Sequence, residues 1–246
     1  MRFASLLFIA LTGLLFVSCA SVPDPPPPDL ELDRNATVTR LASVHEAESA
    51  IIQDIERLDS LLLSLSTLTR REHDEAFPID LFRLVAVACL NTEYSGNERA
   101  APIPGSAVPL TCRPAHLDRL NAEIALMPLE ARNDALRLLF LIDQIRQLKG
   151  SLRMRLAAMP DQIADHREFI ASSRTNVRQI EADFARRRTL FSAAGWSQVN
   201  QVLSDQRSLL RQFDARLDEL TAAYPDWPER VDTLVTAVYF RLTRMG

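Results

Sequence analysis

The residues with the most chemistry to offer in this 246-residue chain are four histidines and three cysteines, and their spacing argues against most of it. None of His45, His73, His116 and His166 has a glutamate three residues before it, so the Glu-x-x-His pairs of di-iron bundles are missing. His-Glu-x-x-His, Cys-x-x-Cys, Gly-x-Ser-x-Gly and a phosphate-binding glycine loop are missing too. The stretch Arg71-Glu72-His73-Asp74-Glu75 has ligand-type side chains, but neighbouring helical residues point in different directions, so it reads as a solvated helix end. His166 falls at an apolar seam position, where a lone polar side chain more often fixes register than binds a metal. No catalytic residue, cofactor or metal is therefore expected, and an enzyme is the least favoured class.

Charged residues make up 24% of the chain and the net charge is −4, so no basic excess points to nucleic acid. Lys149 is the only lysine; the other cations are arginines. A GC-rich genome produces that bias. Arginines chosen for bidentate recognition of carboxylates would need a cluster, which the linear sequence does not display. Arg186-Arg187-Arg188 stands where positive charge suits the C-terminal end of a helix.

Periodicity supplies the elements that would have to position any site. Trp196, Val199, Leu203, Leu210, Phe213, Leu217, Leu220 and Tyr224 recur at steps of three and four, interrupted only by Gln206. Ile163, Ile170, Val177, Ile180, Phe184 and Phe191 keep the same steps, with His166, Ser173 and Arg187 between them. An average step of 3.5 residues keeps one seam of each helix facing a partner. The two segments read as a helical hairpin folded back at Gly195.

Upstream, Leu41, Val44, Ile51, Ile55, Leu58, Leu62 and Leu65 predict a helix over 37–71, with Glu48 as the one charged intruder. A short buried helix is expected over 79–90 and another over 116–126. Leu138, Leu141, Ile145, Leu148, Leu152 and Met159 predict a long helix over 129–158, with Gly150 as a tolerated glycine. Met159-Pro160-Asp161 reads as a tight turn, and Asp226-Trp227-Pro228-Glu229 as a capping box opening a last helix over 230–244. The fold class is all-α: an elongated antiparallel helical bundle with coiled-coil-like heptad helices, closing within one chain. The segment 91–114, with Gly96, Gly105, Pro102, Pro104, Pro109 and Pro114, is the one long irregular loop.

The N-terminus has a different character. After Arg2, the run Phe3–Val17 is apolar but too short for a comfortable membrane span, as in the core of a signal peptide. It ends in Phe16-Val17-Ser18-Cys19, which resembles the lipobox of bacterial lipoproteins, with Phe16 in place of the usual leucine. The resemblance covers only residues 1–19. It implies a signal peptide over 1–18 and a mature chain that starts at Cys19, acylated on its amino group and thioether (palmitate among the acyl chains). Ala20, rather than aspartate, implies an outer-membrane lipoprotein facing the periplasm. Residues 19–36, rich in proline from Pro23 to Pro28, read as a linker, and 37–246 as a single helical domain.

Export places Cys89 and Cys112 in an oxidising compartment, and with Cys19 lipidated they are the only thiols left, so a disulfide between them is expected. Closing such a loop contributes roughly 3 kcal/mol in the chain-entropy model. Loops longer than about 15 residues are usually functional or disordered, and the staple argues against mere slack, which makes 91–114 the best candidate recognition element. The expected role is a non-enzymatic scaffold or accessory subunit of a cell-envelope assembly. Its partners would be the bilayer, through acylated Cys19, and an envelope protein. The alternative is a carrier or chaperone that holds an apolar ligand or exported polypeptide in a cavity lined by Phe140, Phe169, Phe184 and Phe213.

Overall fold

The computed structural model describes residues 30–69, 77–94, 101–102 and 109–245. The lipobox with Cys19, the proline stretch, the charged run 71–75 and half of the 91–114 loop lie outside them. The described chain is all-α, a helical bundle apart from one pair of two-residue strands. Its elements are α1 Leu30–Thr69, α2 Ile79–Asn91, β1 Ala101–Pro102, β2 Pro109–Leu110, α3 Leu117–Ala125, α4 Leu129–Arg186, α5 Ala193–Ala223 and α6 Asp226–Thr243. No helix among the described residues is long and apolar enough to cross a membrane.

The chain divides into two compact units, Met1–Thr39 with Phe169–Asp214, and Arg40–Glu168 with Ala215–Gly246. In the larger unit the α1 seam is buried at Val44, Ile51, Ile55, Leu58 and Leu65, as the periodicity predicts. Glu48, the charged intruder, is met there by Arg216. Antiparallel pairing is marked by Arg155 to Asp54 between α4 and α1, and by Arg167 to Asp218 between α4 and α5. Helix α2 packs on α3 and α6, where the Arg83 Nε donates to the Leu242 carbonyl at 3.1 Å. Arg132 closes the turn from α3 to α4 by donating to the carbonyls of Ala125 (2.7 Å) and Met127 (3.1 Å).

In the smaller unit α4 and α5 run antiparallel, with Val177, Val199, Leu203, Leu210 and Phe213 buried. The polar seam residue Gln206 is buried as well, and its Nε2 donates to the Thr37 hydroxyl at 3.2 Å. The fold-back lies at 187–192, upstream of the expected Gly195. The Ser192 hydroxyl accepts the Gly195 N–H at 3.0 Å and so caps α5, placing the glycine in the first helical turn.

Three expected boundaries are corrected. First, α1 begins at Leu30 rather than Thr37, so helix takes over soon after the last proline of the linker, Pro28. Second, there is no turn at Met159-Pro160-Asp161, because α4 continues through Pro160 for 58 residues. A mid-helix proline removes the N–H that would pair with the carbonyl four residues before it. That carbonyl is Leu156, and the Tyr224 hydroxyl donates to it at 3.0 Å. Third, α6 starts at Asp226 without a side-chain cap, so the capping box does not form. Trp227 N–H donates to the Tyr224 carbonyl at 3.2 Å, and Pro228 sits in the first turn, where no N–H is needed.

Candidate functional site

Cys89 lies in the last turn of α2 and Cys112 just beyond β2; they are bonded, with their Cα atoms 5.5 Å apart. The bridge closes the irregular loop, within which β1 and β2 pair antiparallel with Ala101 opposite Leu110. The ends of that loop rest on one face of α4, and α4 holds them with charged side chains taken out of water.

Asp143 is the centre of this face. Its Oδ2 accepts the Thr111 N–H at 2.7 Å and the Gln147 Nε2 at 3.1 Å. Its Oδ1 accepts the Thr111 hydroxyl at 2.8 Å, the Cys112 N–H at 3.2 Å and the Arg146 Nε at 3.3 Å. A carboxylate has about four lone-pair sites, so these donors saturate it. Arg146, 0% exposed, also donates to the Glu93 carbonyl at 3.3 Å and to the Thr111 hydroxyl. Its guanidinium lies over the Tyr94 ring, 5.6 Å from the centroid. A buried ion pair is costly to desolvate, and it survives when further hydrogen bonds satisfy both partners. Here nearly all of those bonds go to the two ends of the loop.

One turn on, the Lys149 ammonium donates to the Leu90 carbonyl, and burial followed by the nearby Arg153 and Arg146 charges holds its pKa below the usual lysine value. Gly150 is not merely tolerated: a Cβ there would stand 2.5 Å from the Cβ of Tyr94. The glycine lets the start of the loop lie flat against α4.

Beside this clamp is an open groove of about 650 Å³, walled by Tyr94, Arg146, Lys149, Arg153 and Tyr239. The Tyr239 hydroxyl donates to the Asn91 side chain at 2.6 Å, and Arg153 pairs with Asp232 at 3.0 Å. Cationic heads and aromatic faces suit recognition of an acidic or aromatic segment.

Compared with models of known protein families, with curated proteins and with solved structures, the chain matches none.

The remaining sequence candidates fall elsewhere. His45 is exposed on α1, and His116 precedes α3 with a left-handed φ of 68°. His166 is half-buried on α4; burial first and Arg40 second lower its pKa, against Asp165. Among the described residues the only grouping of potential metal ligands is Cys89, Cys112 and Asp143. There the sulfurs are bonded to each other and the carboxylate is saturated. Phe169 packs on Phe213 and Phe184 on Phe191, whereas Phe140 edges a groove with Leu68 and Leu141.

Sequence reasoning overlooked Asp143, Arg146 and Tyr94. A signal was present: a charged pair three residues apart inside Leu138–Leu148, where Leu138, Leu139, Ile142, Ile145 and Leu148 are all apolar and all buried.

Proposed function

We propose that the protein is a non-enzymatic, lipid-anchored periplasmic scaffold or accessory subunit that presents its disulfide-closed loop and the adjoining groove to a protein of the cell envelope. The observation that carries this reading is the Asp143–Arg146 clamp, which ties down both ends of the disulfide-closed loop. A buried ion pair is an expensive way to stabilise a helix and an effective way to hold a surface in one shape. The lipobox at Cys19 supplies the anchor in this reading. The scattered phenylalanines favour it over a carrier with an apolar cavity.

The test has two arms in a Gram-negative host. Metabolic labelling with an alkyne fatty acid is expected to mark the chain and to be lost in Cys19→Ala; an unlabelled parent would remove the anchor. A photo-crosslinking residue at Tyr94 is expected to give one discrete adduct with an envelope protein. The same adduct should vanish when the clamp is broken by Asp143→Ala. Crosslinking only to scattered abundant proteins would sink the scaffold role.

A further inference from the structure

A second charged site lies in the smaller unit, where α4 and α5 face each other. Arg174 and Arg178 on α4, with Arg207 and Arg211 on α5, line one groove of about 390 Å³ together with Ser204. The pairs stand four residues apart on their helices, where like charges repel and destabilise the helix surface. Two of the four are tethered: Arg174 pairs with Asp214 at 2.8 Å, and Arg207 pairs with Glu181. Arg178 and Arg211 have no carboxylate or other hydrogen-bonding partner among the described residues. The folded chain thus gathers four guanidiniums around an open groove and neutralises only two.

The surrounding segment shares this excess. Phe169–Asp214 contains seven arginines against four acidic residues, a net charge of +3 in a chain whose net charge is −4. Four guanidiniums with two carboxylates leave +2 at the groove itself, which matches the charge of a phosphomonoester at about −1.5 to −2 better than a lone carboxylate does. The planar fork of arginine donates two parallel hydrogen bonds to such an oxyanion, and the Ser204 hydroxyl is a further donor at the rim.

We propose that this groove binds a phosphoryl group, with Arg178 and Arg211 as the principal ligands and Arg174 and Arg207 held beside them by Asp214 and Glu181. The site does not depend on how the N-terminus is processed or on the role of the stapled loop.

The test uses the full chain and two probes. Inorganic phosphate is titrated calorimetrically at constant ionic strength, with chloride as the matched control. Phosphatidylcholine vesicles with and without phosphatidate are used for co-sedimentation. Phosphate binding assigns a soluble ligand, and binding to phosphatidate vesicles alone assigns a headgroup. Arg178→Gln with Arg211→Gln should weaken the response about a hundredfold, at about tenfold per charge-assisted contact. Arg178→Lys with Arg211→Lys should retain part of it. The glutamine variant should melt no lower than the parent, since two repulsions are relieved. The proposal is overturned if the parent binds neither probe or binds plain phosphatidylcholine equally. An undiminished response in the glutamine variant overturns it too, as does a lowered melting temperature in both double variants.

Discussion

Each unit of this protein buries a polar device, and the two are built to opposite standards. Asp143 and Arg146 in the larger unit are charged and saturated with partners. Gln206 and Thr37 in the smaller unit are neutral, share one hydrogen bond of 3.2 Å, and leave the Gln206 Oε1 buried without a partner among the described residues. The first ties an irregular segment to a helix; the second sits within a regular seam. A saturated network stabilises only as a whole, because removing one member strands the others. An incomplete one carries a standing penalty, which an apolar residue of similar shape would remove.

The largest effect should therefore come from breaking the complete network. Asp143→Ala removes the counter-charge of Arg146 and the acceptor of the Thr111 and Cys112 N–H groups, and a buried pair broken in this way typically loses 3–5 kcal/mol. Denaturant unfolding monitored by circular dichroism measures the loss. Hydrogen exchange should show the Thr111 and Cys112 amides losing protection before those of the α4 seam. A loss below about 1 kcal/mol would mean that water replaces the carboxylate with ease, and the contrast between the two devices would collapse.

An intermediate effect tests whether the clamp also depends on close approach. Gly150→Ala puts a methyl group 2.5 Å from the Cβ of Tyr94. Overpacking of this kind costs about 1–3 kcal/mol, against the gain of up to about 1 kcal/mol that alanine normally brings to a helix interior. The net expectation is a modest destabilisation. Tyr94→Gly in the same chain should convert it to a gain, since the obstructing Cβ is gone. Stability measured across this double-mutant cycle should show strong coupling; simple additivity would mean that the loop does not rest on α4.

Much of this organisation was legible because seams advertise themselves. The steps of three and four marked the buried faces of α1 and α5 nearly residue for residue, and the isolated Cys89 and Cys112 marked the bridge. What stayed hidden was set by contacts distant in sequence. Pro160 is a breaker on local grounds, and nothing nearby says that Tyr224, 64 residues later, will take up the Leu156 carbonyl. Gly150 is a weak helix residue until Tyr94 is brought against it. The arginines looked like a compositional bias because their clustering needs the hairpin. Even so, each of Arg174, Arg178, Arg207 and Arg211 directly follows a seam residue: Ser173, Val177, Gln206 and Leu210. Matched offsets on the two arms of a hairpin place side chains along a shared groove, a pattern that can be sought in advance.

The smallest effect has the opposite sign and decides whether the comparison is sound. Gln206→Leu removes an amide whose oxygen is unsatisfied and restores an unbroken apolar seam from Val199 to Leu220. Relief of the buried acceptor and added apolar burial should together raise stability by about 1 kcal/mol, after the loss of one neutral hydrogen bond to Thr37. Thermal unfolding measures the gain. Specificity should pay for it, since a polar seam residue restricts register and partner number more than leucine does. Light scattering on the variant should then reveal a larger share of associated chains than in the parent at equal concentration. If Gln206→Leu instead destabilises by more than about 1 kcal/mol, the Gln206–Thr37 pair is as integral to its unit as Asp143–Arg146 is to the other, and the two devices differ in charge alone.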